Sequence, residues 1–377
     1  MNNNINPFLT IGYISKSYFC NREYELEILK KNVKNGINTT LISARRLGKS
    51  ALIHRVFEDL EEENYVCIYV DIYACSNLKS FLETLALSIF NKFPQKQGFG
   101  RRFFEFLKSL RPVITYDDLR AMPEIRFEFA QPKEYEHSLS NLIQFLDNQQ
   151  LKVVLAIDEF QQIASYPEKN IEALLRTIIQ AVKNTQFIFS GSKKHLMLEM
   201  FNTANRPFFS CTQIMGLVEI KEDKYKSFIR EKFAERKRQI DEEAIDFILS
   251  WTLSHTYYTQ VICNGVFASG KKNVTLDQVK QVCDEQLNIQ QINFMQYRSL
   301  LSPIQWQLLI AIAKEGWVSE PQSQRFLQKY NICAASSAKK ALATLLDKEM
   351  VFAVESTEKT AYRVYNVFLM RWLDRTF

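Results

Sequence analysis

A short apolar run that breaks into a loop and restarts as a helix constrains this chain more than any other feature. Residues 38–44 read NTTLISA, a β-rich run. They are followed by Arg45-Arg46-Leu47-Gly48-Lys49-Ser50, and then by ALIHRVFEDLEE, whose spacing predicts a helix over Lys49–Glu62. A strand that turns this tightly into a helix gathers main-chain N–H groups at the helix N-terminus, where an anion is held by amide donors and by the helix dipole. Lysine at position 49 adds a point charge that reaches the β- and γ-phosphates, and the Ser50 hydroxyl is a ligand for Mg2+. The candidate phosphate loop therefore comprises Ser43, Ala44, Arg45, Arg46, Leu47, Gly48, Lys49, Ser50 and Ala51. Gly48 permits close backbone approach. Ser43 stands where a first glycine is usual, but it is small and falls at the strand exit, away from the phosphates. The same three letters, G-K-S, also arise at strand–helix turns that bind nothing, so a second half of the site is required.

That half is VVLAIDEF, Val153–Phe160, an apolar strand ending in Asp158-Glu159. An aspartate at a strand end beside the loop can join the Mg2+ coordination sphere, and the adjacent glutamate can activate water for attack on a γ-phosphate. A buried strand that merely ends in solvated carboxylates is the plain alternative for this segment taken alone. The run TQFIFSGS, Thr185–Ser192, ends in Ser190 and Ser192 and would place a polar group between the loop and Asp158. No N-K-x-D guanine-reading motif occurs, so ATP is expected over GTP, with Mg2+ as its counter-ion.

Between these motifs apolar runs alternate with helical spacing. Helices are expected over Arg22–Gly36, Leu78–Phe93 and Ile171–Val182, and buried strands at Tyr65–Tyr73, Val153–Phe160 and Thr185–Ser192. This alternation argues for a doubly wound α/β sheet, a P-loop NTPase core over residues 1–220. Its one interruption, about 94–133, is rich in Gly and Pro and is expected to be an inserted hairpin turning at Met122-Pro123. Residues 221–296 carry only helical spacing and predict an α-helical lid. From 297 to 377 three helical segments precede two strand-like runs, VFAVES and AYRVYN, in the order of a winged-helix domain.

Composition sets few further limits. Charged residues make up 24% of the 377 and the net charge is +6, which only weakly favours nucleic acid. Seven cysteines form no CxxC pair, so a zinc site or disulfide framework is not expected and reduced thiols in a cytoplasmic setting are. No apolar run approaches the length of a membrane span, and the N-terminal MNNNINPFLTIGY does not have the form of a signal peptide.

Taken together, YFCNREYELEILKK, SARRLGKSALI, VVLAIDEFQQI, FIFSGSKKHLMLEMF, RPFFSCTQIMGL and HTYYTQVIC resemble the archaeal and bacterial ATPases of the STAND branch of AAA+-like P-loop proteins. SSAKKALATLLDKEMV and YRVYNVFLMRWL resemble the winged-helix domain that ends many of them. The resemblance implies that Asn21 and Arg22 lie near adenine and ribose, that Ser192 is the sensor serine, that Arg206 approaches the γ-phosphate, in cis or from a neighbouring subunit, and that His255 belongs to a lid motif facing the nucleotide. With Lys49 and Glu159, Ser192 and Arg206 form the expected catalytic set, and Ser50 and Asp158 the metal set. Leu253-Ser254 and Thr256 depart from the small residues and proline usual in that lid motif.

Three functions stay open at this level. The first is a slow ATPase acting as a nucleotide-dependent switch, closing a lid on ATP and resetting on hydrolysis to ADP, with an unidentified protein partner and a nucleotide-dependent homo-oligomer as its outputs. The second is an ATP-regulated protein that binds duplex DNA through the winged helix. Residues 298–377 hold 11 Lys and Arg against 7 Asp and Glu, but the helix at 336–350 offers only Lys339 and Lys340 on its outer face, with no Arg, Asn or Gln suited to base edges. The third is a non-hydrolysing nucleotide scaffold, which Ser43 alone supports directly.

Overall fold

The computed structural model describes residues 5–93, 98–117, 122–149, 151–332, 334–355 and 360–377. They fall into two compact units, Ile11–Glu219 and a second built from Met1–Thr10 with Ile220–Phe377.

In the first unit α1 (Glu23–Lys34) leads to β1 (Thr39–Ile42) and α2 (Lys49–Glu62). Then follow β2 (Tyr65–Asp71), α3 (Leu78–Lys92), α4 (Gly98–Ser109), β3 (Val113–Asp117), β4 (Met122–Arg126) and α5 (Pro132–Asp147). The unit closes with β5 (Lys152–Asp158), α6 (Ile171–Ala181), β6 (Thr185–Gly191), α7 (Lys194–Asn202) and β7 (Gln213–Gly216). Five strands form one parallel sheet in the order β2-β5-β6-β1-β7. Neighbouring strands are joined through helices, as the α/β alternation requires. β6 lies between the phosphate-loop strand β1 and the acidic strand β5, so both ends open onto the same edge.

Side-chain alternation sorts the sheet into two faces. Leu41, Cys67, Val154, Ala156 and Ile188 pack with Leu52, Ile53 and Val56 of α2. Ile42, Ile68, Val70, Val153, Leu155, Phe187 and Phe189 pack with α3, α5, α6 and α7 on the other face. By that parity Tyr69, Asp158 and Ser190 fall on the α2 face.

The inserted segment differs from expectation in two ways. Its strands pair antiparallel from Val113↔Arg126 to Asp117↔Met122, so Met122 and Pro123 lie within a strand. The turn between them lies outside the described residues. A helix, α4, precedes the hairpin within the Gly- and Pro-rich stretch expected to hold a hairpin alone. Phe103 and Leu107 are fully buried, and Phe106 stacks on Phe145 of α5 at 4.4 Å. Both glycines fall in the first turn of α4, outside the helix interior where glycine costs roughly 1 kcal/mol, and the buried aromatic face holds the rest. Strand β7 was also missed: it has four residues, three of them exposed, and pairs with β1 alone.

The second unit contains α8 (Glu222–Ala234), β8 (Gln239–Ile240), α9 (Glu242–Thr252), α10 (Thr256–Ala268), β9 (Asn273–Val274) and α11 (Leu276–Ser299). β8 and β9 pair parallel, a two-residue ladder in a region expected to be wholly helical. α11 continues past residue 296, where the sequence placed the lid boundary. Next come α12 (Pro303–Glu315), α13 (Gln324–Lys329), α14 (Ala335–Asp347), β10 (Val351–Glu355), β11 (Thr360–Val364) and α15 (Val367–Thr376). Three helices and the antiparallel β10–β11 pair make the winged helix. α15 ties it to the helices before it: Arg371 donates to the carbonyls of Trp251 and Ser250 at the end of α9, and Phe368 packs on Tyr258 of α10. Among the described residues no helix is long and apolar enough to cross a membrane.

Candidate nucleotide and metal site

The turn after β1 carries two left-handed residues, Arg46 at φ 64° and Gly48 at φ 94°. Glycine adopts that conformation freely; arginine does so at a cost, which the neighbouring structure must offset. Ser43 is buried, and its hydroxyl donates to the Ala44 carbonyl at 2.8 Å. It therefore fits the strand exit without a glycine. Arg22, left-handed at the start of α1 and itself buried, donates to the Leu47 carbonyl at 3.3 Å. The N-terminal motif is thus joined to the phosphate loop. Lys49, in the first turn of α2, is only 6% exposed. Burial lowers its pKa, while Asp158 and Glu159 nearby pull it the other way.

Asp158 is the hub. Ser50 Oγ donates to its Oδ2 at 2.7 Å, so the two halves predicted 108 residues apart meet directly. Tyr69 donates its hydroxyl to the same oxygen. Ser190 Oγ donates to Oδ1 at 2.6 Å, and the Glu159 backbone N–H donates to Oδ1 at 2.9 Å. Burial raises the carboxyl, but the hydrogen bonds from Ser190, Ser50 and Tyr69 and the charge of Lys49 outweigh it, and the pKa is held below its ordinary value.

Glu159 is left-handed at φ 55°, an uncommon conformation for this residue type. Its Oε2 accepts the Ser192 hydroxyl at 2.7 Å and the Gln161 amide N–H. Gln161 is buried. A Cβ on Gly191 would meet its Oε1 at 2.4 Å, so only glycine at the end of β6 leaves room for this amide.

The pattern of a family described as an ATPase domain predominantly from Archaea matches residues 19–257. The chain belongs to this family. A second pattern, described as a probable winged helix domain, matches residues 292–375. Among solved structures the chain is similar to the Walker-type ATPase PABY2304 of Pyrococcus abyssi, with a TM-score of 0.67 at 16% identity, over 97% of this chain and 99% of that one. It is also similar to the Aeropyrum pernix ORC2 protein, solved as ADPNP–ADP complexes, with a TM-score of 0.57 at 18% identity, over 100% and 96% of the two chains. At such identities the likeness establishes the fold. No curated protein matches the sequence.

In this archaeal-type ATPase domain the structure brings together Arg22, Ser43, Leu47, Lys49, Ser50, Asp158, Glu159 and Ser192. It holds Arg206 in another pairing: the guanidinium binds Glu172 Oε1 at 2.7 Å and lies 3.6 Å from Glu199, at the start of α6 and the end of α7. Burial raises the Glu172 carboxyl, Arg206 opposes that, and the net shift is upward. Asn21, like Arg22, is left-handed, at φ 54°. His255 belongs to the second unit. It precedes α10, is 8% exposed, and its ring lies 4.7 Å from that of Tyr258.

Sequence reasoning missed Tyr69 and Gln161. Tyr69 had a signal: in YVCIYVD it stands on the same strand parity as the residues facing α2, with a polar tip in an apolar strand. Gln161 closes the run Asp158–Gln161, DEFQ, which is among the most specific parts of the family resemblance, but no role for it is legible in the sequence.

The donor set suits Mg2+. Among the described residues no cluster of three or more His, Cys, Asp or Glu could hold a metal alone. A hydroxyl backed by one ionised carboxylate is the arrangement in which Mg2+ keeps waters and completes its shell with substrate phosphates. Ser50 and Asp158 would hold it, and when bound it would neutralise charge on the β- and γ-phosphates.

Proposed function

We propose that the protein is an ATP-binding switch of the STAND type that hydrolyses ATP slowly in the presence of Mg2+. The Ser50–Asp158 bond, made beside a buried lysine at the start of α2, carries the nucleotide part of this reading. The slow rate is supported by Glu159: as general base it must first turn from Ser192 and Gln161 toward water. Those hydrogen bonds hold the base in a pairing that ATP would have to release, which suits a timer better than a motor. Asn21, Arg22 and His255 would contact the nucleoside, and Arg206 would act only after exchanging Glu172 and Glu199 for the γ-phosphate, in cis or within a nucleotide-dependent homo-oligomer. Closure of residues 221–296 on ATP, and release as ADP, would present the winged helix to a protein partner in a cytoplasmic setting.

Glu159→Gln is expected to keep ATP affinity within about threefold and to lower turnover at least a hundredfold, a loss within the range assigned to general-base removal. Unchanged turnover would remove Glu159 from the base role.

Duplex DNA as the partner is a second reading, favoured by Lys339 and Lys340, both exposed on α14. It is weakened by Arg363 of the wing, which is buried with its guanidinium 4.9 Å from the Trp317 ring centroid. Fluorescence anisotropy with a short duplex at low salt tests it: salt-sensitive binding supports DNA, and its absence supports a protein partner.

A further inference from the structure

The long helix α11 is apolar on two faces. One is core: Val279, Cys283, Leu287 and Phe294 are buried where the helix packs on α9, α10 and α15. The other carries Ile289, Ile292 and Met295, which are 71%, 74% and 53% exposed. Each follows the last by three residues, a step of about 60° around the helix, so together they span about 120°. A surface helix normally buries a stripe of that width against a neighbour. The polar positions beside it do not compensate. The run Gln286–Tyr297, QLNIQQINFMQY, holds no Asp, Glu, Lys or Arg. A contiguous exposed apolar patch of this kind marks an interaction surface.

The charges at its two ends identify the occupant. Glu285 precedes the uncharged run and Arg298 follows it, and both are exposed. Glu285 lies two turns before Ile292, over the middle of the stripe, and accepts the neutral side-chain amide of Gln281 at 2.9 Å. Its neighbour Asp284 is held by Arg375 of α15 at 3.0 Å. Among the described residues neither Glu285 nor Arg298 has an oppositely charged partner. A second α11 laid antiparallel, with a two-fold axis at Ile292, supplies both. Positions equally far before and after Ile292 then face each other. Ile292 meets its own copy, and Ile289, three before, meets Met295, three after. Glu285, seven before, falls within one residue of Arg298, six after. A parallel pair would instead set Glu285 on Glu285 and Arg298 on Arg298. Stripe and charges are thus self-complementary in the antiparallel arrangement, as an isologous two-fold contact requires. We propose that the protein forms a homodimer through α11, antiparallel about Ile292, with Glu285 of each copy paired to Arg298 of the other. This contact lies wholly in the second unit and holds with or without nucleotide, so it goes beyond the nucleotide-dependent assembly considered above.

Sedimentation velocity on the full chain tests it, over a wide range of concentration, first without nucleotide and then with ATP and Mg2+. The parent is expected to dimerise in both. Ile292→Glu sets like charges at the axis and is expected to raise the dissociation constant at least a hundredfold. Glu285→Arg and Arg298→Glu each turn two attractions into two repulsions and are expected to raise it about tenfold, while the variant carrying both exchanges returns it to within about threefold of the parent. The charge exchange leaves Ile292 in place, so it decides the matter should Ile292→Glu fail to fold. A parent that stays monomeric in both conditions overturns the proposal. So does folded Ile292→Glu protein that dimerises like the parent, or a double exchange no tighter than the single ones, which would mean that the helices do not pair antiparallel. A dimer seen only with nucleotide overturns it too and assigns assembly to the ATP switch. Failure of the protein to bind ATP, by contrast, would sink the nucleotide reading and leave the α11 dimer standing.

Discussion

Two places in this molecule were read from sequence as ligand surfaces, and they are built in opposite ways. At the C-terminal edge of the parallel sheet, polar side chains are buried and interlocked. Lys49 is 6% exposed, Asp158 3% and Ser190 0%, and their partners come from α2, β2, β5 and β6. On α14 the buried residues are Ala338, Ala341, Leu342 and Leu345, and the candidate contacts, Lys339 and Lys340, stand in solvent. Burying polar groups costs free energy unless each finds a partner, and at the sheet edge Ser50, Tyr69 and Ser190 find theirs on Asp158. Exposed lysines cost nothing and commit the helix to nothing. The contrast predicts large, specific mutational effects at the first place and small, salt-dependent ones at the second.

The sharpest way to break the contrast is Lys49→Ala. A buried cation beside two carboxylates is expected to account for most of the triphosphate grip, so calorimetry with Mg2+ and ATP should show affinity reduced at least a hundredfold, which is about 2.7 kcal/mol. Affinity within threefold of the parent would place the nucleotide elsewhere.

The main elements of this site were legible because they are local. Residues 43–51 and Asp158-Glu159 are contiguous, and the strand–loop–helix pattern alone fixes where amides and carboxylates go. The helix over Lys49–Glu62 is as expected, and the acidic strand is present but ends at Asp158, two residues before the expected Phe160. What sequence did not convey depends on neighbours across the sheet. Tyr69 reaches Asp158 only because β2 lies beside β5, and strand order is not encoded in any one strand. Gln161 occupies its place only because β6 ends in a glycine. α4 and β7 were hidden for related reasons: a glycine-bearing helix held by distant phenylalanines, and a short edge strand with one buried side chain. Arg206 was visible as a residue, but its pairing with Glu172 and Glu199 depends on how α6 and α7 sit.

Ser190→Ala sharpens the sheet-edge side of the contrast. It removes one donor to a buried charged group, a loss of about 1.5–3 kcal/mol. It also carries a pH signature. The folded-state pKa of Asp158 lies below the unfolded value, so the stability it contributes is present above the unfolded pKa and is lost as pH falls through the folded one. With Ser190 gone the folded pKa rises, and the loss begins at higher pH. Acid unfolding followed by circular dichroism should show a midpoint displaced upward relative to the parent. A midpoint moved downward, or not at all, would mean that the Ser190 bond does not hold the charge.

Gly191→Ala is expected to have a comparable or smaller effect on stability and a clearer one on Glu159. The new methyl meets Gln161 Oε1 and the Met197 side chain. Methionine can give way, so overpacking should cost about 1–3 kcal/mol, read as a lower thermal midpoint. Displacing Gln161 removes one of the two donors on Glu159, and turnover per folded molecule should rise if those hydrogen bonds restrain the base. A fall in turnover would mean that Gln161 orients Glu159 productively instead of restraining it.

The smallest effect is expected on α14, from Lys339→Ala with Lys340→Ala. Neither side chain supports the helix, whose core face is apolar, so the thermal midpoint should stay within a degree or two. If duplex DNA binds there, each lost phosphate contact lowers the slope of log affinity against log salt by about 1, and the double variant should lose about 2 from the slope with little change in preference among duplex sequences. That last point follows from the absence of base-reading side chains on the outer face of α14: a surface of two lysines can sense phosphate but not sequence. A slope unchanged by the double variant would take α14 out of any DNA contact and leave its outer face to a protein partner. A change in sequence preference would instead mean that residues outside α14 are read together with it, and the contrast between a committed sheet edge and an uncommitted helix would no longer hold.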